Sequence, residues 1–175
     1  MVSQPFRLDA FGREHHRSEM TATAPPQAQK YMEIALAEAS EAALRDEVPV
    51  GAVIVDSHTR EVLATAGNRT EELKDATAHA EMLVLRAAAN TYGGTRLVDC
   101  DLYVTLEPCA MCAAAISMAR IRRLYFGASD PKSGGVENGP RFFTQPTCHH
   151  KPDVYGGIDE LRSRRMLQEF FEARR

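Results

Sequence analysis

The pattern of hydrophobic and polar residues predicts alternating helices and strands along residues 28–175. A helical period comes first, since apolar residues recur every three or four positions at Met32, Ala35, Leu36, Ala39 and Ala43. Two segments rich in β-branched residues follow, "VPVGAVIVD" (48–56) and "EVLATAGN" (61–68). The polar "SHTR" between them predicts a turn, and the three segments together predict a β-hairpin.

Strand and helix patterns then alternate. "TAHAEMLVLRAAAN" (77–90) predicts a helix with Thr77 as its N-cap, because a threonine hydroxyl can accept a hydrogen bond from an unpaired N–H group at a helix start. "DLYVTL" (101–106) predicts a strand, "CAMCAAAISMARI" (109–121) a helix and "RRLYFGA" (122–128) another strand. This order favours parallel neighbours in a sheet that helices cover on both faces.

The two ends of the chain complete the predicted organisation. Residues 129–152, rich in glycine and proline, predict a loop, "DVYGGI" (153–158) a fifth strand, and residues 159–175 a closing helix. For residues 1–27 we expect a poorly ordered N-terminal extension, within which Met20 is an alternative start. The remaining residues, 28–175, are expected to form one domain.

Composition narrows the class of protein. The 175 residues are 44% apolar and 26% charged, which is typical of one globular domain. No apolar run approaches the ~20 residues that a membrane-spanning helix needs, and the first residues lack the apolar core of a secretory signal. We therefore expect no membrane association and a reducing, cytoplasmic location, where four cysteines favour metal or redox chemistry over disulfides.

Charge is unevenly distributed along the chain. The net charge is −3, yet residues 109–175 carry 11 Lys and Arg against 7 Asp and Glu. This basic half permits a surface that faces nucleic acid without requiring one.

Cys109 and Cys112 are the first candidates for chemistry. At positions i and i+3 they lie on one face of a helix about one turn apart, so both thiolates can reach a single metal ion. The positive end of the helix dipole also lowers the pKa of a thiol there. The spacing alone leaves a redox dithiol, a structural zinc site and a catalytic zinc site as alternatives.

His79, thirty residues before Cys109, favours a catalytic zinc site. Two thiolates and one imidazole favour zinc, and three protein ligands leave the fourth tetrahedral position to water. A structural site needs a fourth protein ligand. Cys100 and Cys148 are the candidates, although neither has a spacing tied to the other three residues.

Glu81 follows His79 by two positions. In a regular helix such residues point ~200° apart, so the pair must straddle the helix start for both side chains to face one site. A carboxylate there can take a proton from zinc-bound water and return it to a leaving group. The alternative is a first-turn glutamate that the helix dipole favours.

These segments resemble a known family. "HAE" and "PCAMC" are similar to the H-x-E and P-C-x-x-C motifs of the zinc-dependent nucleobase deaminases. "VPVGAVIV", "GNR", "TAHAEM", "DLYVTLEPCAMCA" and "RRLYFGASDPKSG" extend the resemblance over residues 28–175 to the bacterial tRNA adenosine deaminases. The resemblance implies an α/β fold, a cytidine deaminase-like three-layer α/β/α sandwich with a central five-stranded mixed sheet.

The resemblance also implies an activity. Members hydrolyse a C–N bond of an amidine, converting adenosine to inosine at the wobble position of the tRNA anticodon loop, and act as homodimers with one zinc ion per subunit. By position, His79, Cys109 and Cys112 would hold the zinc, and Glu81 would transfer the proton.

Five further residues receive roles from the same resemblance. Asn68 would bond the flipped base or its ribose, Val50 would wall the pocket, and Asp130 would contact the target nucleotide and its neighbour. Phe170 and Arg174 would touch the anticodon loop. Asn68 and Asp130 are also ordinary turn residues in their local context.

Two other functions remain open at this point. A deaminase of free nucleobases or nucleosides, such as guanine or cytosine, shares the metal motif, and a non-catalytic zinc-stabilised binding module is the third possibility. The arginines of the closing helix favour tRNA because its phosphates must be neutralised: Arg162, Arg164, Arg165, Arg174 and Arg175. They could instead complement the negative end of their helix. Of the adjacent Phe170 and Phe171, one is expected to pack inward and the other to be exposed.

Overall fold

The computed structural model describes residues 27–174. The predictions for residues 1–26, including the start at Met20, and for Arg175 fall outside that range. In chain order the elements are α1 (Gln27–Leu44), β1 (Gly51–Asp56), β2 (Val62–Gly67), α2 (Thr70–Leu73), α3 (Ala80–Tyr92), β3 (Cys100–Leu106), α4 (Ala110–Met118), β4 (Arg123–Ala128), a 3-10 helix (Phe142–Thr144), β5 (Asp153–Tyr155) and α5 (Glu160–Glu172).

The strands form one mixed sheet in the order β2-β1-β3-β4-β5. Strand β1 is antiparallel to both β2 and β3, whereas β3, β4 and β5 run parallel to one another. The predicted hairpin, the parallel neighbours and the five-stranded mixed sheet are therefore confirmed.

Helices cover both faces of the sheet, as the alternation of side chains along a strand requires. Val53 and Val55 of β1 face α1 and the C-terminal segment around Ile158. Their neighbours Ala52 and Ile54 face the opposite core, which α3 and α4 cover. The three-layer α/β/α sandwich is confirmed, and it places the starts of α3 and α4 on the same side of the sheet.

The predicted helix start at Thr77 is wrong. Helix α3 begins at Ala80 with His79 as its N-cap, and the backbone of His79 is still extended. The backbone N–H and the hydroxyl of Thr77 both donate to the Asp75 carboxylate, at 2.8 and 2.7 Å. Because this local turn occupies Thr77, the N-cap lies two residues later than predicted.

The short helix α2 was not predicted. Its first turn is capped from a distance by Glu47, whose buried carboxylate accepts hydrogen bonds from the N–H groups of Glu71 and Glu72 and from the Thr70 hydroxyl. A cap supplied by a residue more than twenty positions away leaves no local pattern in the sequence.

Membrane insertion was not expected from the sequence. Within residues 27–174, no helix combines the length and apolar character that crossing a bilayer requires.

Candidate active site

Three side chains with metal-binding atoms converge where α3 and α4 begin. The ligand atoms of His79, Cys109 and Cys112 all lie within 4.8 Å of one another. The Nδ1 atom of His79 is 3.8 Å from the Cys109 sulfur and 3.6 Å from the Cys112 sulfur. One ion of tetrahedral preference fits such a set of one imidazole and two thiols.

The backbone explains how two separate segments reach one point. His79 and Cys109 are the N-cap residues of α3 and α4, with extended φ/ψ values of −68°/151° and −68°/173°. An N-cap side chain projects beyond the end of its helix, so two helix starts that face each other bring these side chains together. Cys112 is fully buried in the first turn of α4 and supplies the third metal-binding atom.

Electrostatics favour a thiolate in this set. A hydrogen bond from Cys112 lowers the pKa of Cys109 to about 4, and contact with His79 adds to this effect while burial opposes it. The same bond raises the pKa of Cys112, and its hydrogen bond with Cys109 raises the pKa of His79. These contacts favour the thiolate form of Cys109, which is the form that metal binding requires.

Glu81 lies in the first turn of α3 and is only 4% exposed. Burial raises the pKa of its carboxyl group. Because His79 precedes the helix and Glu81 lies inside it, both side chains face the same cavity, as the straddling arrangement requires. A buried carboxyl group beside a metal set, and outside that set, suits proton transfer better than metal binding.

A cavity of about 190 Å³ opens beside the metal set. Besides His79, Glu81 and Cys109, it is lined by Val48, Val50, Asn68, Thr70, Leu106, Glu107, Asp130 and Ser133. The structure thus brings the three predicted substrate residues, Val50, Asn68 and Asp130, to one cavity with the metal set. The other lining residues were not predicted from the sequence, because only the fold brings them to the cavity.

Asn68 is oriented by the helix it faces. Its Oδ1 accepts a hydrogen bond of 2.8 Å from the N–H of Ala80, the first residue of α3. Asn68 therefore satisfies a helix-start donor, the type of contact that was assigned to Thr77 from the sequence. Its Nδ2 group remains as the polar atom available to a molecule in the cavity.

The predicted RNA-binding residues lie away from this cavity, at the end of α5. Phe170 is 9% exposed and Phe171 is 49% exposed, which confirms that one packs inward and the other outward. The Arg174 guanidinium lies 3.5 Å from the centre of the Phe170 ring and forms an ion pair with Asp46. The RNA-binding roles of Phe170 and Arg174 stay predictions.

Most of the basic charge predicted for the closing helix is already partnered. Arg162 pairs with Asp159 and Arg164 pairs with Glu160 on α5 itself. Arg174 also donates to the Phe170 carbonyl near the helix end, at 3.0 Å. Only the contact of Arg174 agrees with the alternative in which an arginine complements the negative end of the helix. Because all three arginines have partners, the count of arginines overstates the charge that this segment offers to phosphates.

The two remaining cysteines lie apart from the metal set. Cys100 is buried at the start of β3, and burial raises its pKa to about 12. The Cys148 thiol donates to the His150 carbonyl at 3.1 Å and lies 3.5 Å from the Ser117 hydroxyl. Neither joins the group of metal-binding side chains found within residues 27–174, so a structural site with a fourth cysteine gains no support.

Comparison with known proteins identifies the family. Residues 25–128 match the family model described as the cytidine and deoxycytidylate deaminase zinc-binding region. The chain belongs to this deaminase family. The resemblance, the fold and zinc as the cofactor are thereby confirmed, and the converging His and Cys residues agree with them.

Individual relatives refine the comparison within the deaminases. The chain is 61% identical over 145 residues to a tRNA-specific adenosine deaminase of Agrobacterium fabrum, covering 83% of this chain and 94% of that one. A solved structure from work on tRNA:A34 deaminases is 62% identical, with a TM-score of 0.77, and covers 79% of this chain and 99% of its own. A guanine deaminase structure from Bacillus subtilis is 29% identical, with a TM-score of 0.57, over 73% of this chain and 83% of its own.

We expect Cys112→Ala to abolish tight zinc binding, because two remaining ligands seldom hold the ion. Cys148→Ala is the matched control, since it removes a partly buried thiol outside the metal set. Metal analysis of the purified variants should find about one zinc per chain in the control and far less in Cys112→Ala. Full zinc occupancy in Cys112→Ala, or its loss in Cys148→Ala, would contradict the assignment.

Proposed function

We propose that this protein is a tRNA adenosine deaminase that hydrolyses adenosine to inosine at the wobble position of the anticodon loop. The observation that carries the proposal is the buried carboxyl group of Glu81 on the wall of a cavity that is also lined by the metal-binding residues His79 and Cys109. The identity of 61% to a tRNA-specific adenosine deaminase supports the choice of substrate.

The residues of the site account for hydrolysis at C6 of adenine. His79, Cys109 and Cys112 would hold the zinc ion, which would supply a water molecule whose pKa is lowered towards ~7. Glu81 accepts one proton from the water that attacks C6 and passes it to N1 of the base. It then transfers the second proton of that water to the amino group, so that the C6–N bond breaks and ammonia leaves. Water and adenosine are thereby converted to inosine and ammonia.

The cavity walls account for binding of the base. Val50 offers an apolar surface and Asn68 a donor at Nδ2, while Asp130 lies on the same cavity and is assigned to the target nucleotide and its neighbour. A base must leave its stack to enter such a site. An unpaired loop base does so at lower cost than a base in a duplex.

The other candidate functions fit less well. The likeness to a guanine deaminase keeps a free base as the second candidate substrate, although at 29% identity it is weaker than the likeness to the tRNA enzymes. A non-catalytic zinc module does not need a buried carboxyl group beside an open cavity. The four free cysteines accord with a reducing compartment such as the cytoplasm.

The surface of α4 supports a homodimer. This helix is apolar around its whole circumference, so one side remains uncovered within a single chain. Ala110 is exposed at its start and Met118 is 78% exposed at its end. We assign the interface between two copies to this face, because an uncovered apolar helix face is typical of association surfaces.

Glu81→Gln should keep zinc and the fold yet lose on the order of 10²–10⁴-fold in activity, because an amide cannot accept the proton. The assay measures inosine in an anticodon stem-loop with adenosine at the wobble position, and metal content. Glu71→Gln is the control, since it removes an exposed first-turn carboxylate from another helix. Near-normal turnover by Glu81→Gln would refute the mechanism.

Arg174→Ala should weaken tRNA binding and reduce the log–log salt slope by about 0.7 for each lost phosphate contact. Asp46→Asn separates the two possible roles of the arginine, because it breaks the ion pair and leaves the positive charge. If Arg174 binds phosphate, Asp46→Asn retains or strengthens tRNA binding. Equal loss of stability in both variants, with unchanged tRNA affinity, would show that Arg174 only holds the helix.

Met118→Glu should convert the homodimer to a monomer, because it places a charge in the uncovered face of α4. Leu161→Glu is the control, since Leu161 is similarly exposed on α5. Sedimentation equilibrium gives the mass of each variant. A monomeric wild-type protein would refute the homodimer. A dimer that survives Met118→Glu and dissociates in Leu161→Glu would place the interface elsewhere.

A further inference from the structure

Glu107 is a buried acidic residue to which the mechanism above gives no role. It directly follows β3, precedes Cys109 by two residues, and is 2% exposed. An ionised carboxylate is costly to bury unless hydrogen bonds satisfy it, so its partners show what it does.

The partners of the Glu107 carboxylate all lie in the loop of residues 129–138. Its Oε1 accepts the backbone N–H groups of Val136, Glu137 and Asn138, at 3.1, 2.8 and 2.9 Å. Its Oε2 accepts the N–H of Asp130 at 2.9 Å, the side-chain amide of Asn138 at 2.6 Å and, more weakly, the hydroxyl of Ser129 at 3.4 Å. One carboxylate therefore binds both ends of the loop.

The loop also lies directly on the segment that carries the metal ligands. The N–H of Gly135 donates to the Pro108 carbonyl at 2.8 Å, and Gly134 forms an isolated bridge with Cys109. A Cβ atom at Gly134 would lie 2.6 Å from the Glu107 carboxyl carbon. Only a glycine permits this approach, so the loop has little freedom in how it sits on Glu107.

Asp130 depends on the same arrangement. One of its carboxylate oxygens, Oδ1, accepts the N–H groups of Lys132 and Ser133, both at 3.0 Å. Its backbone N–H is held by Glu107. Because the backbone and Oδ1 of Asp130 are held in this way, the loop also sets the direction of the other oxygen, Oδ2.

We infer that Glu107 is a positioning residue for catalysis, which fixes Asp130 against the cavity so that it meets the target nucleotide next to the metal centre. The inference rests on the proposed function, because it deepens the role given there to Asp130. Misplacement of a binding group by about 1 Å can reduce activity on the order of 10²-fold. Glu107 thus acts on the substrate through Asp130.

Glu107→Gln tests the inference because it keeps the size of the side chain. An amide group has only one acceptor oxygen. In Glu107→Gln the NH2 group would therefore face N–H groups that donate to the carboxylate in the wild type. Glu47→Gln is the matched control, since Glu47 is also fully buried and caps backbone N–H groups, but at α2. Both variants are to be purified with their zinc content measured.

The first readout is amide hydrogen exchange in the zinc-loaded protein. We expect Glu107→Gln to accelerate exchange at residues 130 and 136–138 and to leave the zinc content at that of the wild type. Glu47→Gln should accelerate exchange at residues 71–72 instead. Unchanged exchange in the 129–138 loop, or loss of zinc from Glu107→Gln, would overturn the inference. This readout needs no substrate, so it stands even if tRNA is not deaminated and the proposed function fails.

The second readout is a double-mutant cycle on kcat/KM for tRNA with Asp130→Asn. If Glu107 acts through Asp130, each single variant loses on the order of 10- to 100-fold and the double variant loses no more than the larger single loss. The cycle of Glu47→Gln with Asp130→Asn should be additive. Additive losses for Glu107 and Asp130 would show a general structural role and overturn the inference.

Asn138→Ala provides a milder variant for both readouts. It removes the side-chain amide that donates to Glu107 and to Ser129 and leaves the buried carboxylate in place. Should Glu107→Gln not fold, Asn138→Ala is expected to accelerate loop exchange and to be non-additive with Asp130→Asn. Unchanged exchange or additivity in this variant would overturn the inference as well.

Discussion

The structure depends on one geometric constraint, which is that three metal-binding atoms from two helix starts must come within 4.8 Å of one another. An N-cap residue meets the constraint because its backbone is extended while the next residue is already helical. His79 and Cys109 both occupy that position. The sheet meets the remaining requirement, because α3 and α4 pack on one face of it with their first turns close together. Glu81 and Cys112, which lie in the first turns of the same helices, then reach the same site without any irregular backbone.

Buried carboxylates organise the backbone around this centre. Glu47 and Glu107 each bind a group of N–H donors in an irregular segment, the first turn of α2 and the loop of residues 129–138. Such charge-assisted hydrogen bonds are stronger than neutral ones, and they satisfy donors that a short loop cannot pair internally. These two carboxylates therefore hold residues that line the cavity, Thr70 through Glu47 and Asp130 through Glu107.

Features that depend on the local spacing of residues could be predicted from the sequence. The strands, the long helices and the parallel crossover followed from periodicity, and two motifs indicated the metal set. Neither α2 nor the late start of α3 could be predicted. Glu47 caps α2 and Asn68 accepts the N–H of Ala80, and both contacts depend on the fold. Asp75 holds Thr77 in a local turn before the helix. The partner of Arg174 could not be predicted because Asp46 lies far away in sequence, whereas Arg162 and Arg164 pair with the nearby Asp159 and Glu160. Similarly, Glu107 stands beside a motif but acts on a loop more than twenty residues later.

If one imidazole and two thiolates hold a catalytic zinc ion, one position on the metal stays open to water. X-ray absorption spectroscopy of the zinc-loaded protein measures this directly, because Zn–S and Zn–N distances differ. We expect two sulfur atoms at about 2.3 Å from the zinc ion. Two lighter atoms are expected at about 2.0–2.1 Å, one from His79 and one from water. A first shell of three or four sulfurs would contradict it, since Cys100 or Cys148 would then complete a closed structural site.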